Sequence, residues 1–274
     1  MKTERIDLYE YFGIERKGGE AGYLYSYIIE QYDYCPKRIR PAMLVIAGGG
    51  YSFVSARESE PIALNYIAEG YCAFALDYSV APVVFPYQLL EGCMAMAYIR
   101  ENAEKLGIDK EHVSAIGFSA GGHLCGMLAT MWDEKEIKEF LGEKVILCRP
   151  DAVILSYPVI TSGEFAHKGS IINLSGEKEQ IVSRISLEKR VDKNSVPAFI
   201  WTTMDDACVP MENSILMASA YKKAGVPFEL HIFESGQHGL SLCTKEVNTV
   251  NEPVSKWKEM SKTWLKNRGF EIKD

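Results

Sequence analysis

Short, almost wholly apolar runs alternate along the chain with longer stretches in which apolar residues recur at three- and four-residue steps. The runs are Met43–Ala47 (MLVIA), Cys72–Leu76 (CAFAL), Val113–Phe118 (VSAIGF), Ala152–Ser156 (AVILS), Ala198–Thr202 (AFIWT) and Phe228–Phe233 (FELHIF). Continuous apolarity over five or six residues marks strands covered on both faces, the habit of a parallel sheet. Between them, Ser59–Glu69, Tyr87–Leu106, Ala120–Met131, Glu212–Ala224 and Pro253–Lys266 read as helices. In Tyr87–Leu106, Leu90, Cys93, Met94, Ala97 and Tyr98 fall on one face, and Gly107 stands where a helix would close. Ser59 is a candidate cap with Pro61 behind it, while Gly225 and Pro227 stop Glu212–Ala224. Strand–helix alternation of this kind predicts a mostly parallel sheet with helices on both faces, in a single α/β domain over residues 1–274.

Two regions depart from the rhythm. Residues 1–40 are rich in Tyr and partly alternating (YLYSYIIEQYDY), which predicts antiparallel edge strands ahead of the parallel core. Residues 160–196 lack a clear core strand. An insertion of that length in an α/β domain is either a lid or binding segment or a solvated helical excursion.

Composition narrows the classes of function. The formal net charge of −7 argues against binding to nucleic acid or to an anionic membrane. Seven cysteines, an odd number with no Cys-x-x-Cys pair, fit neither a disulfide framework nor a zinc finger. Unpaired thiols suggest the cytoplasm. The N-terminal residues lack the apolar core of a signal peptide, and no run reaches membrane-spanning length. A soluble intracellular protein is therefore expected.

The candidate chemistry begins at Gly117-Phe118-Ser119-Ala120-Gly121, between a strand and a helix. A Gly-x-Ser-x-Gly sequence at such a junction lifts a serine onto a sharp turn above the carboxyl edge of a sheet. The same serine could simply cap the helix, so the rest of the chain has to supply a base, an acid and an oxyanion site. Gly48, Gly49 and Gly50 follow the first long strand and can bring backbone N–H groups close to a bound acyl group; Ala120 N–H, at a helix start, is a third donor. No Gly-Lys-Ser/Thr follows the glycines, which sets a phosphate loop aside.

Five histidines compete for the role of base. His112 lies in a charged segment and is expected to face solvent. His123 is on the helix after Ser119 and is expected to support the turn. His167 falls in the irregular insertion, and His231 alternates with apolar residues inside a strand. His238 lies after the last core strand between Gly236 and Gly239, where a catalytic histidine hangs. No histidine pair has helical zinc-ligand spacing, so no metal is expected. In sheets that carry a nucleophile this way, the acid lies between Ser and His in the chain. Asp205 and Asp206, after the strand AFIWT, both qualify on that ground.

Taken together, AGGGYSFVSARESEPIA, ALDYSVAP, IRENAEKLGID, AIGFSAGGHLCG, SLEKRV, FIWTTMDDACVPMENS and AGVPFELHIFESGQHGLSL resemble the α/β-hydrolase esterases related to hormone-sensitive lipase, most closely the bacterial acetylesterase and acetyl-xylan-esterase-like branch. The matches run in family order from about residue 40 to 245. The resemblance implies an α/β-hydrolase fold of about eight strands with a small lid-like insertion. It also implies a carboxylesterase acting on short acyl esters, with acetylated sugars or xylo-oligosaccharides as the natural class. It implies a triad of Ser119, Asp206 and His238, the acid being the one in Asp-x-x-Val-Pro. Gly49, Gly50 and Ala120 would form the oxyanion hole, with no cofactor and no partner but a small-molecule ester. Ala47 stands where the family usually has a loop histidine. A serine peptidase of prolyl-oligopeptidase type, or a non-catalytic binding protein on the same fold, is the alternative. Tyr51, Tyr78 and Tyr157, near strand ends, would stack on sugar, line the acyl pocket or belong to the core.

Overall fold

The computed structural model describes residues 1–274, and its apolar runs pair side by side in one eight-stranded sheet. The strands are β1 (Lys2–Asp7), β2 (Tyr23–Ile28), β3 (Arg40–Ile46), β4 (Cys72–Asp77), β5 (Ile108–Phe118), β6 (Ala152–Ser156), β7 (Ala198–Thr203) and β8 (Phe228–Phe233). Their order across the sheet is β1-β2-β4-β3-β5-β6-β7-β8. Only β2 runs against the rest, pairing antiparallel with both β1 and β4.

Both faces of the central strands are covered, which is why the runs are continuously apolar. On β3, Ala42, Leu44 and Ile46 point into one core, Met43 and Val45 into the other; on β7, Ala198 and Ile200 oppose Phe199 and Trp201. The larger core takes in the helices Tyr87–Glu101, Ala120–Thr130 and Glu212–Ala224; the smaller takes in Glu60–Ala68 and Trp257–Lys266.

Several expectations change in detail. The helix expected over 87–106 stops at Glu101. Asn102 interrupts it with φ −99° and ψ 9°, and its side-chain amide donates to the Tyr98 carbonyl before a fresh turn, Ala103–Leu106, closes on Gly107. The helix expected over 253–266 is two, Glu252–Ser255 and Trp257–Lys266, the first capped by Asn251. Ser59 flanks its helix without a side-chain capping bond. The antiparallel edge strands expected within residues 1–40 are present as β1 and β2, separated by the helix Leu8–Phe12. Residues 160–196 hold the helices Lys168–Ser175 and Glu179–Val182 and a 3-10 turn, Leu187–Lys189.

Topology selects one edge of the sheet for chemistry. From β3 the chain crosses to β4 on one side, whereas β5 onward build outward on the other. The loops after β3 and β5 therefore flank a crevice at the carboxyl ends of neighbouring strands, where open α/β sheets bind ligands.

Candidate active site

Ser119 follows β5 directly, with φ 54° and ψ −118°, a region that costs a non-glycine residue of order 1–3 kcal/mol. Its backbone is pinned on both sides: its N–H donates to the Ser156 carbonyl, and its carbonyl accepts from the His123 and Val159 N–H groups. Gly117 and Gly121 make room for the turn by their lack of a side chain, because a β-carbon on Gly117 would fall 2.1 Å from the Gly121 carbonyl oxygen.

His238 reaches Ser119 from the loop after β8. Its Nε2 lies 2.8 Å from Ser119 Oγ and its Nδ1 lies 2.7 Å from Asp206 Oδ2. A carboxylate only accepts, so Nδ1 carries the ring proton and Nε2 is left to accept from the serine hydroxyl. Asp206 follows β7 with its side chain fully buried. Its second oxygen takes the Cys208 and Val209 N–H groups, both at 2.9 Å, so the carboxylate cannot swing. Asp205 points elsewhere. It accepts from Gly236 N–H at 2.6 Å and from the Ser235 hydroxyl at 2.8 Å, and these bonds, the backbone one foremost, hold its carboxyl below the usual range. It thereby ties down the loop that carries His238.

The triple-glycine loop lies beside Ser119 because β3 and β5 are neighbours. Gly49 has φ +127°, and a β-carbon there would fall 2.0 Å from the Phe53 carbonyl oxygen, so the loop closes only on glycine. Neither the Gly49 nor the Gly50 N–H finds an acceptor in the protein. Ala120 opens its helix at the same mouth. Gly49, Gly50, Ser119, His167, Cys208 and His238 share a cleft of about 290 Å³. That is the small end of ligand pockets, which run from about 300 to 1,000 Å³.

Two residues of this region escape a reading of the sequence. Glu58, only 3% exposed, accepts Gly48 N–H at 2.9 Å with one oxygen and the Tyr157 hydroxyl at 2.6 Å with the other. Tyr157 in turn accepts from Ser241 N–H and sets its ring 5.1 Å from that of His238. One carboxylate thus joins the glycine loop to the histidine loop. In the sequence, Glu58 belongs to the run Arg57-Glu58-Ser59-Glu60, which reads as solvated. The second is His167. It caps the helix Lys168–Ser175 and faces the cleft; the length of the insertion suggests a lid or binding segment, but its sequence does not single out His167.

The remaining histidines take supporting places. His123 is buried, bonded to the Tyr51 hydroxyl and the Ile185 carbonyl; burial pushes its imidazole down to about 4, so it is neutral. His112 does not face open solvent as expected: it is partly buried, bonded to Asp109 and packed edge-on against Phe270. His231 bonds Glu229 on its own strand. Tyr51, Tyr78 and Tyr157 are each at most 2% exposed, so the option of stacking on sugar is closed to them and the core option holds. No helix is long and apolar enough to cross a membrane.

A Gly-x-Ser-x-Gly turn after β5 of a mostly parallel sheet, with loops carrying Asp206 and His238 following in chain order, is the arrangement of the α/β-hydrolase class. Comparison with known proteins resolves the class further. The BD-FAE family model matches residues 34–221, and the chain belongs to that family of α/β-hydrolase esterases. Endo-1,4-beta-xylanase B of Butyrivibrio fibrisolvens is 41% identical over 76% of this chain and 33% of its own length. An acetylxylan esterase of Xylanibacter ruminicola is 30% identical over 74% of this chain and 42% of its own. The chain thus spans less than half the length of these curated relatives. The crystal structure of an acetyl ester-xyloside bifunctional hydrolase from Caldicellulosiruptor lactoaceticus superposes with a TM-score of 0.81 at 39% identity, covering 91% of this chain and 89% of that one.

Proposed function

We propose that this protein is a serine carboxylesterase that removes short acyl groups, acetyl above all, from esters of sugars or xylo-oligosaccharides. The observation that carries the reading is the unbroken line of hydrogen bonds from Ser119 Oγ through His238 to Asp206. A serine hydroxyl is a weak nucleophile until a base takes its proton, and the base needs an acid to fix its tautomer.

In the reaction, Ser119 Oγ attacks the ester carbonyl carbon as His238 Nε2 takes the hydroxyl proton. Asp206 stabilises the imidazolium so formed. The carbonyl oxygen, now negative, is met by the N–H groups of Gly49, Gly50 and Ala120. The tetrahedral species collapses, the alcohol leaves with the proton from His238, and the acyl group stays on Ser119. Water then enters by the same route: His238 takes its proton, the oxygen adds to the acyl carbon, and the carboxylic acid departs as Ser119 recovers its hydrogen. No cofactor takes part in these steps.

The small cleft favours short acyl groups, and the names of the relatives direct attention to acetylated xylan fragments. Residues 160–196 contribute His167 to the wall of the cleft, which supports a binding segment over a solvated helical excursion. All seven cysteines are unpaired, in keeping with a cytoplasmic setting. Such an enzyme would meet short oligosaccharides rather than polymer.

The test is Ser119→Ala assayed on p-nitrophenyl acetate, where activity should fall to background. A variant as active as the parent would show the nucleophile to be wrong. A chain-length and leaving-group series that includes acetylated xylo-oligosaccharides tests the substrate class. Preference for peptide amides there would turn the reading toward a peptidase.

A further inference from the structure

His167 is a histidine in the cleft that the acyl-transfer steps leave unused. It enters from the segment between β6 and β7, at the N-terminus of the helix Lys168–Ser175. Its Nδ1 accepts the Ser170 backbone N–H at 3.3 Å and lies 2.8 Å from the Ser170 hydroxyl. A ring nitrogen that accepts from a backbone N–H bears no proton, so the proton of the neutral ring is on Nε2. Nε2 has no partner in the protein.

The ring is held in place from two sides. The capping bond fixes it to its own helix, and the Asn173 side-chain amide, one turn on, donates to the Gly50 carbonyl at 2.8 Å. A side chain at Gly50 would begin 3.9 Å from His167 Cε1, so the imidazole borders the glycine loop directly. Burial, and then the nearness of His238, hold its imidazole below the usual histidine range. Both effects favour the uncharged ring, which presents Nε2–H at the cleft.

Three backbone N–H groups already meet the acyl oxygen. His238, by contrast, passes its proton to the leaving oxygen, so groups close to His238 border the alcohol half of the ester. A sugar ester offers a hydroxyl on the carbon beside the ester; a nitrophenyl ester offers none. We propose that His167 is a specificity-determining residue whose Nε2–H donates to the sugar hydroxyl neighbouring the ester. The inference rests on the sugar-esterase reading above and names the residue that recognises the sugar.

The experiment compares parent and His167→Asn on a monoacetylated methyl xyloside, on its analogue with the neighbouring hydroxyl replaced by hydrogen, and on p-nitrophenyl acetate. Asn is a strong helix cap, so it keeps an acceptor for Ser170 N–H while removing the ring donor. The expected result is a loss of about tenfold in kcat/KM on the acetylated xyloside, the worth of one hydrogen bond in a partly desolvated site. On p-nitrophenyl acetate, which has no such hydroxyl, the loss should be clearly smaller than on the acetylated xyloside. The deoxy analogue should cost the parent the same factor and cost the variant nothing further. Equal losses on both kinds of ester, or no loss on either, would overturn the role of His167 alone. A parent that cleaves p-nitrophenyl acetate but leaves the xyloside intact would sink the sugar reading and this assignment with it.

Discussion

Asp205 and Asp206 leave the end of the same strand, and their partners separate them. Asp206 holds the ring of His238, whereas Asp205 holds the backbone of the loop that delivers it. Replacing Asp206 by Asn keeps the shape but lets the imidazole adopt the wrong tautomer, a change worth ~10⁴-fold in kcat in a Ser-His-Asp triad. Asp205→Asn retains an oxygen for Gly236 N–H, so its loss should stay below about tenfold. Measuring kcat for both on p-nitrophenyl acetate checks the assignment, and reversed magnitudes would transfer the role to Asp205. From residue types alone the two acids were equivalent; only the Asp-x-x-Val-Pro resemblance favoured the second. What distinguishes them physically is a bond to a histidine 32 residues away, which local sequence does not encode. The same holds for Glu58, whose partners Gly48 and Tyr157 lie in other loops.

At the scale of elements, legibility followed burial. The strands β3 to β7 were readable because two covered faces demand unbroken apolarity, whereas β8 is a half-exposed edge strand; of the short helices of 160–196, Lys168–Ser175 buries only a few side chains, such as Ile171 and Leu174, and Glu179–Val182 buries none, which leaves little periodicity to read. The helix Tyr87–Glu101 contains a feature that periodicity hides. Glu91 is fully buried on it, accepting from Ser79 N–H, the Ser79 hydroxyl and the Tyr9 hydroxyl, and so fastens the helix to the N-terminal segment. Burial outweighs these donors and pushes its carboxyl up to about 7 from an ordinary 4.5. The folded chain therefore keeps a proton that the unfolded chain releases. Stability from this group is whole below pH 4.5, declines between about 4.5 and 7, and is level above, a total of about 3 kcal/mol. Urea titrations across that window should show the decline in the parent and a much flatter profile in Glu91→Gln. Identical slopes would mean that Glu91 does not titrate there.

Over the whole molecule, the C-terminal helix braces the site from beneath. Trp257 stacks on Trp201 of β7 with ring centres 5.1 Å apart and meets Phe118, the residue before Ser119, edge-on at 6.1 Å. Its indole N–H donates to the Ser241 carbonyl in the segment after His238. Trp257→Ala removes a fully buried side chain and should destabilise the fold by about 3–5 kcal/mol, read as a lower urea midpoint. A midpoint unchanged from the parent would show that this face of the sheet closes without the helix.

The carboxylate of Glu58 adds a different kind of constraint. Because one side chain anchors both the glycine loop and, through Tyr157, the loop that carries His238, the two cannot drift apart independently. Displacing the anchor on one side strands a buried acceptor or donor on the other, at a cost of about 1–3 kcal/mol for each group left unmatched. Half-assembled states, with a base poised but no donors aligned or the reverse, are thus disfavoured relative to the fully ordered site. The glycine loop and the histidine loop are therefore expected to order, and to loosen, together.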